Sequence, residues 1–401
     1  MSLSKRNTFL ILSLAELLAM SVWFSASAVV PALTKIWGLD SAGQAWLTMA
    51  VQVGFVIGAL GSAVLNLADR IPAPRFFYVS AFLAAIFTAV LPLLCQGLGL
   101  AVLLRFLTGI CLAGVYPVGM KIMATWTRED RGWGIGLLVG ALTLGSAAPH
   151  LVNVLGGVDD WKLVFYAAAG LAGLGGFLAL LFIREGPYRA TTPKFDWKYA
   201  GELWREKEIA LANLGYFGHM WELYAMWTWV PVFLLASFRL AGTAEQWSSL
   251  AAFAVIGTGG VGSLAAGKLA DRFGRTTVTI ASLALSGACS LLVGFFFGGR
   301  PLWVFLVCLI WGFAVVADSA QFSAGISELC QPERTGTALT IQTSLGFLLT
   351  LVSIRLIPSI EKWVSWRWAF ALLSFGPLVG IWAMARLRRL PSAAKMASGR
   401  K

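Results

Sequence analysis

Long apolar segments separated by short polar breaks run through the whole chain. Each segment holds twenty or more mostly apolar or small residues, which lets a helix cross the roughly 30 Å hydrocarbon core of a bilayer. The pattern therefore predicts an all-α membrane protein with twelve transmembrane helices, at positions 8–36, 44–68, 76–98, 99–125, 133–158, 161–184, 209–238, 247–271, 276–298, 301–329, 336–360 and 365–387.

The longest polar stretch separates the sixth segment from the seventh and carries six lysines or arginines. It divides the twelve helices into two groups of six. We expect an N-terminal six-helix bundle at 1–184, a cytoplasmic linker at 185–208, a C-terminal six-helix bundle at 209–387 and a basic cytoplasmic tail at 388–401.

Composition and charge agree with this interpretation. Hydrophobic residues make up 58% of the 401 residues and charged residues only 12%, whereas soluble domains are about one quarter charged. The net charge of +12 is spread over short loops rather than gathered on one domain. This distribution argues against a nucleic-acid partner.

The distribution of lysine and arginine between alternate loops predicts the orientation, because cytoplasmic loops collect these residues. With the N-terminus inside, 21 of them fall on the cytoplasmic side and six on the other. We therefore expect a multi-pass protein of the cell (inner) membrane with both termini in the cytoplasm. The first segment is too long for a signal-peptide core, so no cleavable signal is expected.

The two halves share landmarks at a nearly constant offset. ELLAMSVW at 16–23 and ELYAMWTW at 222–229 lie 206 residues apart. Three further pairs repeat at offsets of 202, 205 and 203 residues: Asp69 with Asp271, Trp161 with Trp366, and Arg131 with Arg334. Four landmarks in register predict a duplicated fold.

These landmarks resemble the major facilitator superfamily. Its loop signature GxxxDRxGR is matched in the second half by Gly267, Asp271, Arg272, Gly274 and Arg275. The first-half copy keeps only Asp69 and Arg70, and RFLTGICLAGVYP resembles the RxxxG signature of the fourth helix. The resemblance implies two pseudo-symmetric six-helix bundles that work by alternating access, and leaves the substrate open.

The charges of the loop signature are candidates for a cytoplasmic gate. Asp271 can face a helix N-terminus, and the arginines can reach carboxylates or carbonyls on a neighbouring helix. Such pairs could hold one face closed and break when the bundles rock. The alternative is that they only anchor helix ends at the lipid headgroups. The gate set comprises Asp69, Arg70, Gly267, Asp271, Arg272, Gly274 and Arg275.

Three acids fall inside predicted helices: Glu16, Glu222 and Asp318. A charged side chain at mid-bilayer costs roughly 2.5–3.5 kcal/mol on insertion scales, so each one requires a function or a partner. His219 precedes Glu222 by three residues and shares its helix face. Because burial favours the neutral carboxyl, we predict that these four residues couple transport to protons. The alternative is a structural pair between helices.

Candidate substrate contacts combine basic, aromatic and polar side chains within the spans. Arg105 and Tyr116 are eleven residues apart, so they project from the fourth helix in almost the same direction. Trp23 and Trp229 each follow their glutamate by seven residues and lie on its face. The complete set is Arg105, Tyr116, Trp23, Trp229, Tyr224, Gln321 and Arg355.

These observations favour a proton-coupled secondary transporter of a small organic solute. An organic anion is slightly preferred, because Arg105 cannot lose its charge whereas a glutamate or histidine can. The alternatives are a proton-driven drug or metabolite efflux antiporter and a membrane solute receptor that does not transport. The partners expected are a small molecule, protons and the lipid bilayer, and we expect a monomer.

An enzyme is not expected, because no nucleophile and base occur at useful spacing and no large domain lies outside the membrane. GxxxxGK[ST], the phosphate-binding motif of an ATP-driven pump, is absent. With only two histidines and no cysteine on their helix faces, we expect neither a metal site nor a cofactor.

Overall fold

The computed structural model describes residues 4–127, 131–156, 160–188 and 195–401, and gives only the backbone of residues 131 and 332. Within these residues, twelve helical segments are long and apolar enough to cross a membrane. The all-α architecture and the twelve predicted spans are confirmed. The segment bounds differ from the predicted ones by a few residues.

The first half contains six spans. Its helices are α1 (Lys5–Met20), α2 (Ser25–Trp37), α3 (Ser41–Val64), the short α4 (Leu67–Arg70), α5 (Ala73–Leu94), α6 (Leu98–Leu112), α7 (Tyr116–Ala124), α8 (Arg131–Gly156) and α9 (Trp161–Phe182). The first span consists of α1 and α2, and the fourth consists of α6 and α7.

The second half also contains six spans, although its first span is a continuous helix. Its helices are the short α10 (Trp197–Glu202), then α11 (Lys207–Leu240), α12 (Glu245–Phe273), α13 (Arg275–Leu292), α14 (Pro301–Ala317), α15 (Ser319–Leu329), α16 (Pro332–Val364), α17 (Trp366–Ala369) and α18 (Phe375–Arg388). Short 3₁₀ helices occupy Val293–Phe296, Phe370–Ser374 and Pro391–Gly399. The tenth span consists of α14 and α15.

Three predicted spans are broken rather than continuous. The first is interrupted at residues 21–24, the fourth at 113–115 and the tenth at Asp318. Pro117 lies in the first turn of α7, where its missing N–H costs no hydrogen bond. The breaks lie inside long apolar runs, and hydropathy alone does not mark them.

The two halves meet along two pairs of helices. α8 packs on α12, and α3 packs on α16. At the α8–α12 contact a β-carbon on Gly140 would lie 3.3 Å from the carbonyl oxygen of Gly260. Glycine therefore lets these two backbones approach closely.

The helix ends define two faces of the molecule. We call the end that carries Asp69 and Asp271 the signature face, and the end that carries Asp40 and Glu245 the opposite face. The linker is predicted at 185–208, and α11 already begins at Lys207, within those bounds. The short helix α10 lies in the linker.

The C-terminal segment, residues 391–401, folds back onto the signature face of the second half. Met396 is buried, and the backbone N–H of Ala397 donates to Glu328 Oε2 at 3.1 Å. The Arg400 guanidinium donates to the Asp271 carbonyl, and the Thr276 hydroxyl donates to the Lys401 carbonyl at 3.1 Å. The predicted tail is therefore a packed part of the structure.

Candidate functional site

A cavity of about 300 Å³ lies between the halves and reaches the signature face. Side chains from α3, α7, α15 and α16 surround it. Those with polar or aromatic groups are Phe55, Ser62, Asn66, Asp69, Tyr116, Lys121, Phe195, Ser323, Thr337, Thr340 and Thr343. Three of the hydroxyl groups lie on α16 of the second half, whereas the rings of Phe55 and Tyr116 come from the first half.

An aromatic cluster from both halves closes the deep end of this cavity. Phe55, which lines the cavity, packs against Phe347 with ring centroids 4.8 Å apart and the ring planes tilted by 51°. Trp23 lies 5.5 Å from Phe347 and 6.0 Å from Tyr224. Trp23 belongs to the octapeptide of the first half and Tyr224 to the octapeptide of the second half. The two repeated segments therefore meet at the centre of the molecule.

Glu16 lies beside the cavity without a hydrogen-bonding partner. Its side chain is fully buried, and neither carboxylate oxygen has a hydrogen-bond partner among the described residues. A β-carbon on Gly119 of α7 would overlap Glu16 Oε2, so the carboxylate lies directly against that backbone. Tyr116, which lines the cavity, is close enough to interact electrostatically with Glu16.

Glu222, the counterpart of Glu16 in the repeat, is fully hydrogen-bonded. Its Oε1 accepts from Trp311 Nε1 at 2.7 Å, and its Oε2 accepts from the Ser286 hydroxyl at 2.8 Å. These contacts join α11 to α13 and α14 within the second half. The two repeated glutamates therefore have different surroundings.

His219 and Asp318 form a close pair in the second half. His219 Nδ1 lies 2.8 Å from Asp318 Oδ1, and both side chains are 1% exposed. Asp318 occupies the break between α14 and α15. The rings of Tyr216 and Phe322 lie 6.0 Å and 5.6 Å from the imidazole.

Arg105 lies at the break in the first span, where its guanidinium donates hydrogen bonds to three backbone carbonyls and one serine hydroxyl. Its Nη1 donates to the Val22 carbonyl at 2.7 Å and to Ser25 Oγ at 3.1 Å, and its Nη2 donates to the Trp23 carbonyl. Its Nε donates to the Leu47 carbonyl at 3.2 Å. Backbone carbonyls that the helix break leaves without a partner thus accept from the N–H groups of the Arg105 guanidinium. This geometry favours a structural role for Arg105 over the predicted substrate contact.

The remaining predicted substrate contacts do not all reach the cavity. Trp229 Nε1 donates to the Ile354 carbonyl at 2.9 Å, within the second half. Gln321 Oε1 accepts from Arg275 Nη1 at 2.8 Å near the signature face. Arg355 is exposed on the surface of α16. Of the predicted set, Tyr116 lines the cavity, while Trp23 and Tyr224 lie in the aromatic cluster beneath it.

The first-half signature forms an ion pair at the mouth of the cavity. Lys121 Nζ contacts Asp69 Oδ1 and donates to the Ala68 carbonyl at 2.5 Å. Both side chains of the ion pair are 24% exposed. Arg70 is exposed next to it.

The second-half signature is more extensively connected. Arg275 makes a bidentate pair with Glu328, at 2.7 Å from Nε to Oε2 and 2.5 Å from Nη2 to Oε1, and its Nη1 lies 3.8 Å from Asp271. A β-carbon on Gly132 would lie 3.0 Å from Asp271 Oδ2, so this carboxylate faces the N-terminal turn of α8 in the other half.

The other residues of that signature have simpler roles. Gly267 faces the backbone of Gly132, Arg272 lies over the ring of Phe273, and Gly274 adopts φ +92°. A positive φ at Gly274 favours glycine at this turn.

Two contributors to the site were missed in the sequence. Glu328 is an acid in the last turn of α15, where the helix dipole disfavours a negative charge. That position alone indicates a cationic partner, here Arg275. Lys121 is a base near the end of the fourth span, where a lysine can snorkel to the membrane interface or meet an anionic substrate, and in the structure it reaches the signature aspartate Asp69.

Curated relatives of the chain are transporters by name. It is 26% identical over 341 residues to the "Probable 4-methylmuconolactone transporter" of Cupriavidus pinatubonensis, covering 80% of this chain and 75% of that protein. It is 23% identical over 328 residues to the "Niacin transporter NiaP" of Acinetobacter baylyi, covering 71% and 70%. A shorter match, 31% over 154 residues, covers 38% of the chain and 32% of the "4-hydroxybenzoate transporter PcaK" of Pseudomonas aeruginosa.

The fold also matches a solved transporter structure. A crystal structure of a variant of the nucleoside transporter NupG superposes with a TM-score of 0.73 over 95% of this chain and 100% of that chain, at 15% identity. The sequence model of the Major Facilitator Superfamily matches residues 12–354 and 213–401. The chain therefore belongs to the major facilitator superfamily, as a multi-pass membrane transporter of solutes rather than an enzyme.

Proposed function

We propose that this protein is a proton-coupled transporter of a small ring-containing carboxylate. The first bundle (1–184) and the second (209–387) rock about the central cavity, so that the two faces open in turn. We place the signature face in the cytoplasm of the cell, because the excess of lysine and arginine lies on that side. The cavity then opens inward in the conformation described.

The chemistry of the cavity supports a planar solute with polar groups on its edge. Phe55 and Tyr116 offer ring surfaces, and Thr337, Thr340 and Thr343 offer hydroxyl groups. A volume of about 300 Å³ matches a small ligand site. The names of the relatives support the same class, since niacin and 4-hydroxybenzoate are aromatic carboxylates.

A positive charge at the cavity mouth also favours an anion. Lys121 lines the cavity and is held by Asp69 and the Ala68 carbonyl. An arriving carboxylate can share this ammonium group with Asp69, because an ammonium group has three donors. In this proposal Lys121 replaces Arg105 as the charge that first meets the substrate.

Proton coupling rests on one observation, the buried and unpaired carboxyl of Glu16. A buried carboxylate with no hydrogen-bond donor is unfavourable when charged, so protonation is expected to accompany every state in which Glu16 is sealed from water. Rocking of the halves would expose it in turn to each side. Glu222 has two donors and is assigned a structural role, while the pair of His219 and Asp318 is kept as a second candidate for proton binding.

The test is uptake into proteoliposomes under an imposed pH gradient. Radiolabelled niacin and 4-hydroxybenzoate are the first probes, with a sugar and an amine as chemically unlike solutes. We expect carboxylate transport that follows the pH gradient. Glu16→Gln should still bind the carboxylate and exchange it across the membrane, but should lose the response to the gradient.

Glu333→Gln is the matched control, because Glu333 is an exposed carboxylate in the first turn of α16. It should behave as the unchanged protein does. Carboxylate transport that ignores the pH gradient would contradict proton coupling. Transport of the sugar or the amine in place of both carboxylates would contradict the substrate class.

A further inference from the structure

The opposite face of the molecule is closed where the two halves touch. Side chains from α2, α8, α11 and α12 converge there around a small cavity of about 20 Å³. The polar groups that line it are Ser27, His150, Asn153, Glu245, Ser248 and Ser249. This cavity lies at the far end of the interface from the central cavity.

Asn153 joins the two halves at this point. Its Nδ2 donates to the Ala28 carbonyl of α2 at 3.2 Å and to Ser249 Oγ of α12 at 3.2 Å. The side chain is 3% exposed. The bond to Ser249 connects the first half to the second, whereas the bond to Ala28 stays within the first half.

The same corner holds two buried polar atoms that are not hydrogen-bonded within the described residues, Asn153 Oδ1 and His150 Nε2. The two residues are three apart on α8 and share a helix face. A cavity of about 20 Å³ has room for one water molecule, which needs partners of this kind. A water molecule that bridges Asn153 Oδ1 and His150 Nε2 would satisfy the hydrogen bonding of both atoms while the face is closed.

We propose that Asn153 is the latch of the opposite face: its amide holds α12 through Ser249 while the central cavity is open, and releases it when the halves rock. The proposal rests on the alternating access proposed above, but not on the identity of the substrate. Gln52 and Thr350 also bond across the halves, at 2.8 Å, near the middle of their helices. A bond at the end of the interface must break on opening, because separation is greatest there.

The latch is tested by the accessibility of cysteines introduced on each side. Ala32→Cys reports on the opposite face, because Ala32 lines the small cavity, and Thr340→Cys reports on the central cavity. Each is combined with Ser249→Ala, which removes only the partner in the second half, or with Asn153→Ala. A water-soluble maleimide then labels the protein, and the chain without an introduced cysteine gives the background.

We expect Ser249→Ala to speed labelling at position 32 and slow it at position 340, so that the ratio of the two labelling rates changes by about fivefold, the shift that follows from losing one ordinary hydrogen bond. Asn153→Ala should act in the same direction. Ser237→Ala is the matched control, since Ser237 accepts from the Gly298 N–H at 3.0 Å near the same face but within the second half.

Unchanged labelling at position 32 with Ser249→Ala would overturn the proposal. Faster labelling at both positions, or an equal effect of Ser237→Ala, would also overturn it, because either result indicates general loosening. Thermal unfolding of each variant shows that it is folded. The labelling needs no substrate, so its result stays separate from the outcome of the transport assay.

Discussion

The carboxylate of Glu16 lies directly against the α-carbon of Gly119, with no room for a side chain between them. α1 and α7 meet there inside the first half. The absence of a β-carbon leaves the space that the buried acid occupies. The contact between Glu16 and Gly119 therefore places the proposed proton site directly against α7, the helix that also carries Tyr116.

Gly119→Ala is expected to reduce transport by roughly tenfold or more, because the methyl group displaces the Glu16 carboxyl, and one tenfold step corresponds to about 1.4 kcal/mol. Initial rates in proteoliposomes measure the effect. Gly170→Ala is the matched control, since nothing lies within 4 Å of a β-carbon at that exposed helical position. Equal rates for the two variants would show that the displaced carboxyl is not needed.

Arg105→Lys is expected to lower the free energy of unfolding by about 2 kcal/mol. A lysine ammonium group cannot reproduce the planar guanidinium, which donates hydrogen bonds to several carbonyls at once. Thermal unfolding measures the loss. Substrate affinity of the folded protein should stay within twofold. Weaker binding at unchanged stability would instead make Arg105 a substrate ligand. Arg355→Lys, at an exposed position of α16, serves as the comparison.

Glu222→Leu should destabilise the protein by about 1–3 kcal/mol, because it leaves the buried Trp311 N–H without an acceptor. Glu222→Gln should be much milder, since its amide oxygen can accept from Trp311 and its amino group can donate to Ser286. Glu16→Leu removes an acid that has no donor and should cost no stability. Thermal unfolding measures the stability of each variant. A similar loss of stability in both leucine variants would contradict the separate roles of the two glutamates.

Cys330 follows the last residue of α15 at the signature face and is 8% exposed. Burial raises the pKa of its thiol to about 11, so the reactive thiolate is scarce at neutral pH and grows about tenfold per pH unit below that pKa. Maleimide labelling of this cysteine should therefore be slow at pH 7 and rise by about that factor at pH 8. Rapid labelling that does not change with pH would contradict this burial.

Hydropathy was sufficient to predict the number of spans, because the bilayer sets the length of every apolar run. It did not reveal the three helix breaks. The break at residues 21–24 depends on Arg105, more than eighty residues later, whose donors satisfy the carbonyls that the helix leaves open. A pattern read along one segment contains no information about such a partner.

The sequence indicated which ionisable groups lie inside the spans, but not what they touch. Glu16 and Glu222 occupy equivalent places in the repeat, yet only Glu222 meets donors, from Ser286 and Trp311 on other helices. Asn153 was overlooked because one asparagine near a helix end is common in any membrane protein. Its significance comes from Ser249, which lies in the other half of the chain.

The C-terminal segment shares Glu328 with Arg275, since the carboxylate accepts from both the Ala397 backbone and the guanidinium. The two contacts are therefore thermodynamically linked, so that the effect of the first on the second equals, in free energy, the effect of the second on the first. Release of residues 397–401 from Glu328 would therefore change the contact between Glu328 and Arg275. By reciprocity, a rearrangement of the signature loop would be reported at the very end of the chain.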